Sequence, residues 1–548
     1  MNQESNNGSQ QEAKKNVVIH ALSMALGTLS SRALGLIRDM AFAALFPRAV
    51  TDAWTAAFRL PNLFRRLLGE GSLSISFIPV FVEAKLEDDA KGTHHASNLV
   101  NGFYTCLLVV LTLLTAGGIL GAEGILKLLL DPNYVANTEQ FLLTVRMAKI
   151  MFGFIFLMSQ FAYMMGLLNA LGEYSLPAMA PVFFNIAMIA STFIPSAWFT
   201  SPGDGLAWGV LLGGLWQTAV LIPTLSKKNY LPKLTLNWKS PRVLRVFKSM
   251  GPGLLGTGLL QITTIINLRY ASRLGEGSIS YIYWADRLLE LPLSLVAVSL
   301  GTALLPTLSK MWSEGRRDKL LETSQHYLRL NLFVCLPAAS GLFFLARPIV
   351  EVLFRRGKFS EIDVKSTALV VSIYAFILLA SSCVRVLVPL YYAMKNTWWP
   401  ATVGGLCLIV HIIVAPLLMD HWGLGGLVSS TFVSATLNLF CLSVPIRRWV
   451  GVFDWKGVMI SFSKNSLAAI SMGVLVYYVN GALRPYLGIG EFGRLLNLII
   501  SVLMGLGFFI TMSKVLGSEE MDSTFRTIKE KLKKKTLKSS SKNPESKL

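Results

Sequence analysis

Runs of about 20 apolar residues recur along nearly the whole chain, and as a helix each is long enough to cross the ~30 Å hydrocarbon layer of a bilayer. Reading the runs between polar or Pro/Gly breaks predicts 14 spans, near 17–46, 51–83, 98–128, 141–170, 177–196, 205–226, 245–272, 277–309, 325–354, 364–394, 399–419, 424–446, 462–483 and 495–516. The several long spans imply tilted or broken helices. With 53% hydrophobic and only 15% charged residues over 548 positions, and a mean hydropathy of +0.53, the chain is too apolar for a soluble domain of this size. The fold class expected is an all-α polytopic membrane protein.

The five cysteines, Cys106, Cys335, Cys383, Cys407 and Cys441, all fall inside apolar runs. They read as small core residues, away from the loops where disulfides or metal sites are usually built. The polar N-terminus, residues 1–16, lacks the basic start and cleavage site of a signal peptide, so the first span should stay in the mature protein.

Orientation follows from lysine and arginine in the short connections. The loop after span 6 carries Lys227, Lys228, Lys233, Lys239, Arg242, Arg245 and Lys248 and no acid, and the loop after span 8 carries Lys310, Arg316, Arg317 and Lys319. Both belong in the cytoplasm, and an even span count leaves both termini there. The loop after span 9, with Arg355, Arg356 and Lys358, is the exception. From Thr524 onward nine Lys or Arg against two Glu give 9 − 2 = +7 of the net +20, a tail expected to be solvated and to follow the same charge rule. No charge run has the interleaved aromatics of a nucleic-acid platform.

Against this apolar background, charges inside spans 1, 2, 8 and 10 stand out, because a charge at bilayer depth costs roughly 2.5–3.5 kcal/mol even on a lenient insertion scale. Span 1 holds Arg32, Arg38 and Asp39. Seven residues apart, Arg32 and Asp39 share a helix face, whereas Arg38 points about 120° away unless the helix bends near Gly35. Span 2 adds Asp52, Arg59, Arg65, Arg66 and Glu70, with Pro61 and Gly69-Glu70-Gly71 as expected breaks. Span 8 adds Asp286, Arg287 and Glu290, spaced i,i+3 and i,i+4 so that the acids can hold the guanidinium. Span 10 adds Arg385.

Arginine outnumbers acid in this set, and its fixed fork of donors suits bidentate contact with phosphate. The expected site is therefore a cavity for a phosphorylated or otherwise anionic ligand, with Arg32, Arg38, Arg65 and Arg287 as ligands and Asp39, Asp52, Asp286 and Glu290 as counter-charges or gates. Arg59, Arg66, Glu70, Arg385 and Asn267 are secondary candidates; Arg66 and Glu70 suit a membrane boundary, and Asn267, like Gln261 and Asn438, suits cross-linking of helices. His411 on an apolar helix is expected to be a hydrogen-bonded core residue. No phosphate-binding Gly-rich loop, metal-spaced histidine pair or nucleophile elbow is present, so no catalytic residue, metal or cofactor is expected. Arg59-Leu60-Pro61 with Phe77-Ile78-Pro79 is faintly echoed by Arg287 to Pro292 with Leu304-Leu305-Pro306 six spans later, the kind of weak symmetry seen in transporters built from repeated halves.

Three stretches carry a resemblance to a known family: Ser31-Arg32-Ala33-Leu34-Gly35-Leu36-Ile37-Arg38-Asp39, then Phe58-Arg59-Leu60-Pro61-Asn62-Leu63-Phe64-Arg65-Arg66, and Tyr283-Trp284-Ala285-Asp286-Arg287-Leu288-Leu289-Glu290-Leu291-Pro292. Together with Thr51-Asp52-Ala53 and Gly301 to Pro306 they resemble the MurJ (MviN) lipid II flippases of the multidrug/oligosaccharidyl-lipid/polysaccharide exporter superfamily, over roughly 17–516.

The resemblance implies two six-helix lobes around a central cavity, taken here as 17–226 and 245–446 joined by a basic cytoplasmic loop, 227–244. Two extra helices, 462–516, would line a lipid groove, and 517–548 would form the basic tail. It implies lipid II, the undecaprenyl-pyrophosphate-linked peptidoglycan precursor, as cargo; membrane lipids and cell-wall synthesis proteins as partners; and the bacterial inner membrane as location. It also implies that Arg32, Arg38, Arg65 and Arg287 fall on essential cavity arginines and Asp39, Asp52 and Glu290 on functionally important acids. Some relatives carry a proposed sodium-binding acid in span 7, where Gln261 to Asn267 offers amides and no carboxylate. A membrane potential or another ion gradient is then expected to drive transport. The rivals are a flippase for another undecaprenyl-pyrophosphate-linked oligosaccharide and a membrane enzyme acting on lipid-linked phosphate. A drug exporter would need an acid-dominated cavity, and a scaffold would leave the desolvated charges unexplained.

Overall fold

A computed structural model describes residues 26–67, 73–236, 238–294, 299–488 and 490–523. Glu70, the polar N-terminus and the basic tail from 524 onward lie outside the described residues.

The regular structure among the described residues is helical. A first helix, α1, covers 26–45. It is followed by α2 (Arg48–Leu67), α3 (Leu73–Lys91), α4 (His95–Leu129), α5 (Pro132–Ala136), α6 (Thr138–Met151), α7 (Gly153–Ala170), α8 (Ser175–Thr192), α9 (Asp204–Ala219), α10 (Ile222–Lys227) and α11 (Pro241–Arg273). The chain continues through α12 (Ser278–Pro292), α13 (Ser299–Ser313), α14 (Arg317–Phe344), α15 (Ala346–Phe354), α16 (Glu361–Ala393), α17 (Trp398–Ser443), α18 (Ile446–Trp449), α19 (Trp455–Leu487) and α20 (Glu491–Val515).

Nine helical stretches among the described residues are long and apolar enough to cross a membrane. Predicted spans 3 to 6, 9, 10, 13 and 14 each match one, and spans 11 and 12 together match the ninth, Trp398–Trp449. Spans 1, 2, 7 and 8 are not among the nine. Spans 1, 2 and 8 carry most of the candidate charges, so the features that make them interesting also lower their apolar signal. Span 8 is moreover divided between α12 and α13, just as span 2 is divided between α2 and α3.

Spans 11 and 12 meet inside α17 at Gly423, whose φ of 52° and ψ of −125° mark a sharp kink. Glycine carries that backbone without a steric penalty. Three residues on, a Cβ at Gly426 would lie 2.0 Å from the Leu418 carbonyl oxygen. Only glycine allows the two arms to come so close.

The chain forms two compact units: residues 1–280 with 356–359, and 281–355 with 360–548. In the first, α2 packs on α6, α7 and α11, and α3 on α4, α7 and α11. Its aromatic core stacks Trp54 on Phe58 and sets Phe77 against Phe103 and Tyr163. Residues 356–359 join this unit through the Lys358 N–H, which donates to the Ala44 carbonyl at 2.7 Å. A Cβ on the adjacent Gly357 would collide with that carbonyl.

In the second unit α16 packs on α13, α14, α15 and α17, while α14 and α19 bring α20 into the same body. Its core runs from Leu304 and Leu308 through Leu387, Leu390 and Tyr391 to Ala468, Met472 and Phe509. His411 is fully buried, with Nδ1 3.2 Å from the Ser430 hydroxyl on the other arm of α17. It is the core histidine that its apolar setting implied. All five cysteines are free, three of them buried.

Candidate functional site

In the first unit, α1 runs through Gly35 as continuous helix, and the three charges of span 1 take different environments. Arg32 is exposed, whereas Arg38 is 8% and Asp39 1% exposed. The Arg38 guanidinium folds back on its neighbour, with Nε and Nη2 at 2.9 and 2.7 Å from Asp39 Oδ1. Its Nη1 donates to Asn185 Oδ1 of α8 at 3.1 Å. The amide of Asn185 is held in turn by the carbonyls of Ser31 and Pro181, at 3.0 and 3.1 Å. Asn185 was not among the predicted site residues. The available signal was a lone amide in the otherwise apolar run Pro181-Val182-Phe183-Phe184-Asn185-Ile186.

On α2, Asp52 is buried and accepts hydrogen bonds from the backbone N–H groups of Gly277 and Ser280 at 2.5 and 2.8 Å. The Ser280 hydroxyl sits 2.6 Å from Asp52 Oδ1 and 2.8 Å from Thr51 Oγ1. This carboxylate therefore serves the free N–H groups at the start of α12, which every helix leaves unpaired in its first turn. One and two heptads further along α2, Arg59 and Arg66 line a cleft with Asn62, Leu63, Gln261, Thr264 and Ile265. Arg65, on the adjacent face, donates from Nε to Asn62 Oδ1 at 2.8 Å. Asn267 lies half-buried on α11.

In the second unit, Arg287 lies over the Tyr283 ring, 4.9 Å from its centroid, and Nη2 donates to the Tyr283 hydroxyl at 3.0 Å. Glu290 is the acid predicted one turn along, but its oxygen is 3.4 Å away and the pair is a third to a half exposed. Asp286 accepts from the Tyr374 hydroxyl of α16 at 2.8 Å. Arg385 is exposed on α16.

A further charged group escaped prediction. Glu351, 5% exposed, is approached by Arg347 at 2.8 Å, Arg484 at 3.5 Å and Arg355 at 3.7 Å, and Glu361 shares Arg347 and Arg355. This explains part of the basic loop after span 9, since Arg355 is neutralised within the fold and is no free positive charge.

The model of the family described as "Lipid II flippase MurJ" matches residues 41–498. The chain belongs to the MurJ family. It is 48% identical over 520 residues to a probable lipid II flippase MurJ of Bdellovibrio bacteriovorus, covering 94% of this chain and 98% of that one. It is 35% identical over 426 residues to the lipid II flippase MurJ of Burkholderia cenocepacia, covering 77% and 82%. A solved structure of a lipid II flippase MurJ in an inward closed conformation matches with a TM-score of 0.73 at 23% identity, over 90% of this chain and 99% of that chain. An inward-facing multidrug transporter of the MOP superfamily matches at 0.64 and 14% identity, over 76% and 95%. MurJ membership makes this a multi-pass membrane transporter and not an enzyme, on a fold shared with the multidrug exporters. Both stretches with the candidate arginines of α2 and α12 lie inside the matched region.

Proposed function

We propose that this chain flips lipid II from the cytoplasmic to the periplasmic leaflet of the bacterial inner membrane by alternating access. The observation that carries the reading is the 48% identity over nearly the whole chain with a probable lipid II flippase. The arginine surplus agrees with it, because a pyrophosphate needs fixed cations that a pKa shift cannot discharge.

In this reading Arg32, Arg38, Arg65 and Arg287 receive the pyrophosphate and sugar-peptide head, and the lipid tail lies along the last two helices. Asp39 and Glu290 hold Arg38 and Arg287 when no cargo is bound; the 2.7 Å Arg38–Asp39 and 3.4 Å Arg287–Glu290 contacts support this. Filling the site exchanges those carboxylates for phosphate oxygens. Both termini are cytoplasmic, and the cycle is driven by the membrane potential or an ion gradient. Cell-wall synthesis proteins are the expected neighbours.

Expression in cells depleted of their own lipid II flippase tests the reading. Restored growth and cell shape, lost again when the potential or the ion gradient is collapsed, is the expected result. Failure to rescue, at normal membrane levels and with rescue of cells lacking a different lipid-linked oligosaccharide flippase, would move the substrate to that class.

A further inference from the structure

The described residues of the connector between α10 and α11 form no helix or strand, yet the connector is pinned along α4. The Lys233 N–H donates to Asn101 Oδ1 at 2.8 Å, the Thr235 N–H to Thr105 Oγ1 at 3.0 Å, and the Trp238 carbonyl lies 3.7 Å from Cys106 Sγ. These anchor points climb the first turns of α4. Exposed apolar residues of that helix begin just beyond them, at Val109, Val110 and Leu113. The connector is thus fastened beside the exposed apolar stretch of α4.

Two features show what it meets there. Leu234, Leu236 and Trp238 fall close together in the chain and are exposed by 73, 97 and 44%. Bare leucines beside lysines are unfavourable in water but suit the boundary between headgroups and acyl chains, where tryptophan also concentrates. The second feature is charge. Three nearby acids are paired, Glu173 to Lys228, Glu87 to Arg242 and Glu83 to Arg245, and Asp88 accepts from Thr93 and from the N–H groups of His95 and Ala96. Lys227, Lys233 and Lys239 are exposed and lie beyond these pairs.

We propose that residues 231–236 with 238 and 239 act as a membrane-surface strap: Leu234, Leu236 and Trp238 dip into the interface while Lys227, Lys233 and Lys239 bind anionic phospholipid headgroups. The strap is independent of which lipid-linked substrate is carried. A lysine near an anionic surface gains attraction that falls off within a Debye length, so the contact is sensitive to lipid composition and salt.

The test uses the full chain in phosphatidylcholine vesicles containing lipids brominated near the top of the acyl chain, with phosphatidylglycerol titrated in. The wild type should lose more tryptophan emission than Trp238→Phe, and that difference should grow with phosphatidylglycerol. Changing Lys227, Lys233 and Lys239 to Gln should raise the phosphatidylglycerol content needed for half the effect, about fivefold for the first lysine removed. Leu236→Asp, at a position too exposed to matter for folding, should shrink the difference. Equal quenching with and without Trp238 would overturn the proposal, and so would a difference indifferent to phosphatidylglycerol.

Discussion

Arg38 and Arg287 are both membrane arginines next to an acid, yet they are held in opposite ways. Arg38 is buried, with three short hydrogen bonds to Asp39 and to Asn185 on a different helix. Arg287 is a third exposed, rests on the face of Tyr283, and meets its acid only at 3.4 Å. To take up a phosphate, Arg38 must abandon a buried carboxylate and an amide, whereas Arg287 meets Glu290 at 3.4 Å in a part-exposed setting and rests on an aromatic ring. Intramembrane arginine is therefore one composition serving two purposes: a latch that ties α1 to α8, and a donor already presented.

The comparison predicts a split between stability and transport. Arg38→Ala should fall on both, because it strips a buried carboxylate of its ion pair; breaking such a pair costs about 3–5 kcal/mol. Thermal unfolding of the detergent-solubilised protein measures this, and a wild-type melting curve would remove the latch. Asn185→Leu should cost about 1–3 kcal/mol, the usual penalty for leaving buried polar groups short of a partner, and should weaken transport only through that loss.

Arg287→Ala should leave the melting curve almost unchanged, because a half-exposed pair contributes about 0–1 kcal/mol, while transport is lost. Tyr283→Phe removes one hydroxyl acceptor and keeps the ring under the guanidinium. It should lower transport by roughly two- to twelvefold, the equivalent of about 0.5–1.5 kcal/mol for one hydrogen bond. A larger drop would make the tyrosine a ligand in its own right.

Much of the fold was legible because span-length apolar runs have few alternatives in a bilayer. The positions of Arg38, Arg59, Arg66 and Arg287 on charged helices were legible for the same reason, as breaks in that pattern. What the pattern hid was partnership. A helical wheel sets Arg38 and Asp39 on different faces, but a long guanidinium curls across 100° to its neighbour. The partners of Asp52 are backbone N–H groups more than 220 residues away in sequence, and backbone donors leave no trace in composition. Glu351 lies one turn from both Arg347 and Arg355, so those pairs follow from helix spacing; its third partner, Arg484, arrives from α19 and leaves no local trace.

Lipid II translocation by purified chain in sealed vesicles, with Arg287→Ala compared against the wild type at equal folded protein and equal membrane potential, reads out whether Arg287 holds the cargo. The account predicts that the variant, unchanged in melting temperature, moves lipid II no faster than empty vesicles. Wild-type translocation by Arg287→Ala would contradict it.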